Sequence, residues 1–110
     1  MDSKWGYQLT QKADVDLDDI VGYMAVELAN PKAASDFVDK LQEVIEEARS
    51  FPESGSPVVN EFVPTTEVRK KLVANYIMYY LPDSAEKMIF VLRIVYGRRN
   101  VDEILRQLNV

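Results

Sequence analysis

The sequence predicts an α+β domain in which an antiparallel helical hairpin packs on a three- to four-stranded, mainly antiparallel sheet, with an N-terminal strand and a short C-terminal helix. Three observations lead there. Two long stretches with helical apolar spacing meet at Asn30-Pro31. Three β-rich runs then come between Val68 and Val95, separated by turn residues. Helices and strands segregated in this way form two layers, one of each kind. At 110 residues the whole chain, residues 1–110, reads as a single domain large enough for a core without covalent staples.

Trp5–Leu9 (WGYQL) alternates weakly and reads as a short edge strand. Thr10 offers an N-cap hydroxyl, and Asp14 and Asp16 lie near the positive end of the first helix. Ala13, Leu17, Ile20, Val21, Met24 and Leu28 share one face of that helix. Proline disfavours helix at the residue before it and suits the first helical position, so Asn30 caps a second helix. Its buried face is Ala34, Phe37, Val38, Leu41, Val44 or Ile45, and Ala48. Asp36, Asp39, Glu43, Glu46 and Glu47 give the hairpin an acidic outer surface; they scatter around a solvated face and lack the loop geometry of a calcium site.

The run Phe51–Pro57 (FPESGSP) ends the hairpin with turn residues, and Val58–Val63 is a short extended piece stopped by Pro64. Val68–Val73 (VRKKLV) and Tyr76–Leu81 (YIMYYL) are strands, joined by a turn or bulge at Ala74-Asn75. Pro82–Glu86 is a turn. Met88–Val95 is apolar and β-branched, as suits a strand buried on both faces, except that Arg93 interrupts it. An unpaired buried guanidinium is costly, so Arg93 either serves a site or pairs with a helix carboxylate such as Asp16 or Glu47. Tyr96-Gly97-Arg98-Arg99-Asn100 is a turn that exposes two guanidinium groups, and Asn100 caps a last helix, Val101–Leu108. The sheet face away from the hairpin is expected to be open and partly lined by the cations of the second strand.

With no Cys, disulfides and thiolate chemistry are excluded; with no His, imidazole metal sites and the commonest general base are excluded too. No metal site or cofactor is expected. No signal peptide is evident and the apolar runs are too short to span a bilayer, so a cytoplasmic protein without a membrane partner is expected. The formal charge of −5 is unevenly distributed. Residues 1–67 hold 5 Lys/Arg against 14 Asp/Glu, and residues 68–100 hold 7 against 2. A basic patch on an acidic body can bind an anionic partner, or the two halves can neutralise one another across the fold.

Phe51-Pro52-Glu53-x-Gly55 after a helical hairpin, Arg69 opening the next strand, Asn75–Tyr80 (NYIMYY) and Val91–Arg99 (VLRIVYGRR) occur in one order along the chain. Together they resemble the toxins of the RelE/ParE superfamily, over nearly the whole length. The resemblance implies a growth-inhibiting toxin of a type II toxin–antitoxin, or plasmid stabilisation, system. It also implies a cognate antitoxin whose tail wraps this chain, and contact with DNA only indirectly, through that antitoxin.

Two activities occur in the superfamily. RelE-like members cut mRNA on the ribosome. On that reading Arg69, Lys70, Lys71 and Tyr76 hold the RNA (on the other activity they bind the target), and Arg93, Tyr96, Arg98 and Arg99 are catalytic. Yet Tyr96 stands where many relatives have His, the last helix has no Tyr, and a phenol with its ordinary pKa of about 10 is a poor base at neutral pH. An acidic body also fits poorly with ribosomal RNA. ParE-like members inhibit DNA gyrase and need no nuclease constellation, and the resemblance leans that way. A third reading keeps the fold as a non-toxic interaction module. The bland readings are that Tyr76, Tyr79 and Tyr80 pack the sheet, that Lys70 and Lys71 discourage edge pairing, and that Arg98 and Arg99 bind an acidic antitoxin segment.

Overall fold

The computed structural model describes residues 4–58 and 67–97. Its elements are β1 (Gly6–Leu9), α1 (Gln11–Gly22), a π-helical turn (Tyr23–Glu27), α2 (Pro31–Ser50), β2 (Ser56–Pro57), β3 (Arg69–Val73), β4 (Tyr76–Asp83) and β5 (Met88–Tyr96). They build one five-stranded sheet in the order β1-β5-β4-β3-β2, with the helices on one face. The expected α+β architecture is present, with a fuller sheet. β2 adds a fifth strand, two residues earlier than the extended piece predicted from Val58, and the rest of that piece lies outside the described residues. β1 is an edge strand, as expected, and runs parallel to β5; the other neighbours are antiparallel. The helix predicted at Val101–Leu108 lies outside the described residues.

Both predicted caps form. Thr10 Oγ1 accepts the Ala13 N–H at 3.2 Å and donates to Leu92 O at 3.0 Å. Asn30 Oδ1 accepts the Ala33 N–H at 3.1 Å, with Pro31 at the first helical position. Caps of this kind contribute about 1 kcal/mol each. The predicted buried face of α2 is observed at Ala34, Phe37, Leu41, Val44, Ile45 and Ala48.

The face predicted for the first helix fails at its end. Beyond Gly22 the ladder widens, so that the Leu28 N–H bonds Tyr23 O at 3.0 Å, five residues back. The wider turn rotates the end of the helical stretch, and Leu28, expected inside, is 54% exposed. Ala29 then takes the left-handed conformation, φ 48°, that glycine usually supplies at a helix end.

β4 extends through Pro82, where the sequence predicts a turn. Pro82 pairs with Ile89 of β5, while β3 ends at the Arg69–Tyr80 pair. The missing proline N–H thus falls where β4 has no β3 neighbour. The chain turns after Asp83, whose Oδ1 accepts the Ala85 and Glu86 N–H groups at 3.0 and 3.1 Å. Ala74-Asn75 is a two-residue hairpin turn; the bulge lies in β5 instead. There Tyr79 pairs with Arg93 and Tyr80 with Val91, leaving Leu92 as the extra residue.

The main core joins Ala13 and Ile20 of α1 and the inner face of α2 to Val73, Met78, Tyr80, Ile89, Val91 and Ile94 of the sheet. The opposite sheet face is only in part the open, cation-lined surface expected: Lys70, level with Tyr79, lies exposed on it, while Arg69 and Lys71 turn to the helix side. It holds its own apolar cluster of Val58, Val68, Tyr79 and Val95, flanked by Ile77, Leu81 and Leu92. Side chains alternate along β4, so Met78 and Tyr80 serve one core while Tyr79 serves the other. Among the described residues, no helix is long and apolar enough to cross a membrane.

Where β1 ends at Leu9, β5 loses its parallel neighbour, and α1 replaces it. The Thr10 N–H bonds Val91 O at 3.0 Å, and Asp16 Oδ2 accepts the Ile94 N–H at 2.9 Å. Asp16 also takes Arg93 in a two-pronged pair, at 2.7 Å from Nε and 3.0 Å from an Nη. Removing one partner of a buried pair leaves an uncompensated charge, so Asp16→Ala should cost about 3 kcal/mol, read as a lower urea midpoint. Asp16→Asn, which keeps an acceptor for Ile94, should lose less. Equal losses would show that the charge contributes nothing.

Candidate functional site

The three consecutive cations of β3 are the sequence's candidates for gripping a phosphate chain, and the strand pleat separates them. Arg69 Nη1 donates to Glu53 O at 3.0 Å and to Gly55 O at 2.7 Å. Lys71 pairs with the Glu47 carboxylate of α2 and donates to Ser54 Oγ at 2.9 Å. Its hydrogen bond is the main reason the Glu47 carboxyl titrates below the usual range. Lys70, between them, is exposed. Two of the three cations therefore fasten the turn after α2.

That turn is where Phe51-Pro52-Glu53-Ser54-Gly55 sits, and Tyr80 completes its anchoring. The Tyr80 hydroxyl donates to Pro52 O and accepts the Gly55 N–H, both at 2.9 Å. Burial pushes this phenol up, against the opposing pull of the Gly55 N–H. A Cβ on Gly55 would lie 2.6 Å from the Tyr80 hydroxyl and 2.8 Å from Lys70 O, so only glycine allows the turn to lie this close to the sheet. The motif is thereby accounted for as architecture.

The proposed catalytic residues divide in the same way. Arg93 is 8% exposed and held by Asp16, whose hydrogen bonds raise its pKa further. Tyr96 is partly exposed at the far end of β5 and meets Tyr76 edge to face, with ring centroids 5.5 Å apart; Tyr76 in turn meets Phe37 at 5.1 Å. Burial first, then the nearby phenols of Tyr96 and Tyr23, push the Tyr76 hydroxyl above its ordinary pKa. Arg98 and Arg99 lie outside the described residues.

Of the described site residues, Tyr76 and Tyr96 meet, whereas Arg69 and Lys71 are held at the turn after α2 and Arg93 at α1. Arg69 and Tyr76 stand at opposite ends of β3, about 13 Å apart along the strand direction. Among the described residues, no group of three acidic, His or Cys side chains comes together to hold a metal ion. A cleft of about 1020 Å³ lies between the turn after α2 and the end of β4, lined by Trp5, Phe51, Pro52, Arg69, Leu81 and Asp83 among others. A smaller one of about 480 Å³ borders Lys70, Lys71, Leu72 and Ile77.

Tyr23 is the neighbour that sequence reasoning missed. It lies in the π-helical turn, and nothing in helical periodicity placed it beside a strand tyrosine. Among the described strand cations, Arg69, Lys71 and Arg93 are engaged and Lys70 is exposed.

If Arg69 is an anchor, Arg69→Ala should lower stability by about 1–2 kcal/mol, because two carbonyls lose their donor. Lys70→Ala should stay within about 0.5 kcal/mol of the parent, as exposed substitutions do. Urea unfolding of the two variants checks the contrast, and equal stability would remove Arg69 from the structural role.

Residues 7–101 match the family described as the ParE toxin of the type II toxin–antitoxin system, parDE. Among solved structures, the chain is similar to the chromosomal ParDE toxin–antitoxin system from P. aeruginosa. That match has 25% identity and a TM-score of 0.65, covering 84% of this chain and 96% of the other. The RelBE2 toxin–antitoxin complex from Mycobacterium tuberculosis matches at 15% identity and a TM-score of 0.62, covering 86% and 99%. The isolated E. coli RelE toxin matches at 14% and 0.55, covering 96% and 99%. These last two likenesses are of fold. No curated protein matches the chain by sequence.

Proposed function

The chain belongs to the ParE toxin family of type II toxin–antitoxin systems, and we propose that it arrests growth by inhibiting DNA gyrase, not by cutting mRNA on the ribosome. The observation that carries this reading is where the described candidates for nuclease work are engaged. Arg69 and Lys71 secure the turn after α2, Arg93 is paired with Asp16, and the Tyr76 ring packs between Phe37 and Tyr96. Cleavage through the 2′-hydroxyl needs a proton acceptor and cations free to track charge as it develops. Inhibition of a protein target needs neither. It needs a stable surface, and the hairpin and aromatic cluster supply one.

The partner in the cell is a cognate antitoxin: the solved neighbours include a ParDE system and a RelBE2 complex. The gyrase reading adds the target, and the acidic body supports it. A chain carrying −5 overall is repelled by a phosphate-rich particle such as the ribosome, whereas a protein surface sets no such condition. Its setting is expected to be the cytoplasm.

Induced expression without antitoxin should give filamentous cells, DNA-damage signalling and intact messages, and the purified protein should block gyrase supercoiling. An early fall in translation with cut, ribosome-bound messages would overturn the reading in favour of an mRNA endonuclease built on Arg98 and Arg99. Normal growth would leave a non-toxic interaction module.

A further inference from the structure

The cleft between the turn after α2 and the β4–β5 turn holds about 1020 Å³. Proteins seat ligands and partner side chains in clefts of roughly 300–1,000 Å³. Both of its walls are fixed in advance. Arg69 and Tyr80 hold the turn after α2 through Glu53 O, Gly55 O, Pro52 O and the Gly55 N–H. Asp83 Oδ1 holds the β4–β5 turn through the Ala85 and Glu86 N–H groups. A cleft built this way loses little freedom when it is filled.

Phe51 is the part of the turn that the architecture leaves unused. Its backbone is engaged: the N–H bonds Glu47 O and the carbonyl accepts the Ser54 N–H, both at 2.9 Å. Its ring is 68% exposed and belongs to neither apolar cluster. Half-buried Pro52, Leu81 and Pro82 line the cleft with it. Trp5 lines the cleft as well, but Lys87 Nζ already stands over that ring, 5.7 Å from its centroid. Phe51 is therefore the aromatic that the cleft leaves open.

The charge of the lining is one-sided. Glu53, Glu67 and Asp83 bring carboxylates to it. Among the described residues that line it, Arg69 is the only cation, and its Nη1 is taken by two carbonyls. An anionic ligand is repelled there, and two copies meeting through this cleft would set carboxylate against carboxylate. A purely aliphatic ligand would strip water from carboxylates without replacing it. A guanidinium suits both walls. It stacks flat on an aromatic ring and donates in a fork to a carboxylate, which an ammonium cannot match.

We propose, resting on the gyrase reading above, that this cleft is a target contact and takes an arginine-bearing loop of gyrase. The guanidinium stacks on Phe51 and donates to Glu53, while Asp83 and Glu67 add to the field that draws it in. The methylenes of the same side chain lie along Leu81 and Pro82. Aromatic and arginine anchors of this kind carry most of the energy of a protein interface.

The test uses the full-length toxin with purified gyrase, and the antitoxin encoded with it as a check on the fold. Phe51→Ala should raise the toxin concentration that half-blocks supercoiling about tenfold, and Phe51→Trp should restore the parent value. Glu53→Lys should weaken inhibition as much, most strongly at low salt. Both side chains are exposed, so urea unfolding and antitoxin affinity should stay at parent values. In a separate titration, N-acetylargininamide should shift the amide resonances of Phe51 and Glu53 in the free toxin. Uncharged N-acetylglutaminamide should not.

If Phe51→Ala and Glu53→Lys block gyrase as the parent does, or the arginine compound moves nothing in the cleft, the proposal is overturned and the gyrase reading stands without it. If the parent leaves gyrase untouched, that reading fails and takes this occupant with it. Variants that keep gyrase inhibition but lose antitoxin would assign the cleft to the antitoxin and overturn the proposal as well.

Discussion

The fold depends on what happens to β5 where β1 stops. A central strand needs hydrogen-bond partners along both edges, and β1 supplies them only as far as Val91. The Leu92 bulge falls at that point and disturbs the ladder to β4 as well. α1 resolves both demands with two side chains. Thr10 caps its own helix and donates to Leu92 O, and Asp16, about a turn and a half further on, takes the Ile94 N–H together with the Arg93 guanidinium. The pair therefore fixes the angle at which α1 leaves the sheet, and with it the seat of the hairpin on Ile89, Val91 and Ile94. Desolvation weighs against any buried ion pair, but here the carboxylate also satisfies a backbone donor that no strand reaches.

A second fixture works at the opposite edge. Arg69, Lys71 and Tyr80 hold the turn after α2 through Glu53 O, Gly55 O, Ser54 Oγ, Pro52 O and the Gly55 N–H. The turn is thus tied to β3 and β4 by side chains at three points. Between the two fixtures the hairpin is tied to the sheet where α1 begins and where α2 ends. Rigid exposed surface is what recognition requires, since little ordering is left to be done on binding. In this chain Arg69 and Lys71 hold the turn after α2 in place.

Much of this was legible in the residues. Helical spacing identified the buried face of α2, and the residue chemistry of Thr10 and Asn30-Pro31 identified both caps, because those signals are local. Arg93 was also legible as a question, and Asp16 was one of its two named answers. The failures have a common cause. The π-helical turn, the Leu92 bulge and the passage of β4 through Pro82 are each set by what lies across the fold, and no local pattern records them. The candidate site was the least legible part. Three consecutive cations look alike in a sequence, whereas the pleat sends Arg69 and Lys71 to the turn after α2 and leaves Lys70 in solvent.

The division of charge along the chain bears on function once the pairs are known. Lys71–Glu47 and Arg93–Asp16 join the basic half to the acidic half, so part of the asymmetry is neutralised inside the fold. Pairs such as Arg49–Glu46, Lys32–Asp36 and Lys40–Glu43 are local to α2 and alter nothing across the molecule. Among the described residues, Asp14, Asp18 and Asp19 of α1 are left exposed without an ion-pair partner, around the exposed Val15. Such a surface repels nucleic acid and attracts basic protein, and attraction of this kind acts first on the rate of encounter. A toxin that must be captured promptly by its antitoxin gains from that rate, whereas a nuclease working on a ribosome would meet the same field as a barrier. The acidic face of α1 and the structural engagement of Arg69, Lys71 and Arg93 are therefore the two observations on which the proposed gyrase reading rests.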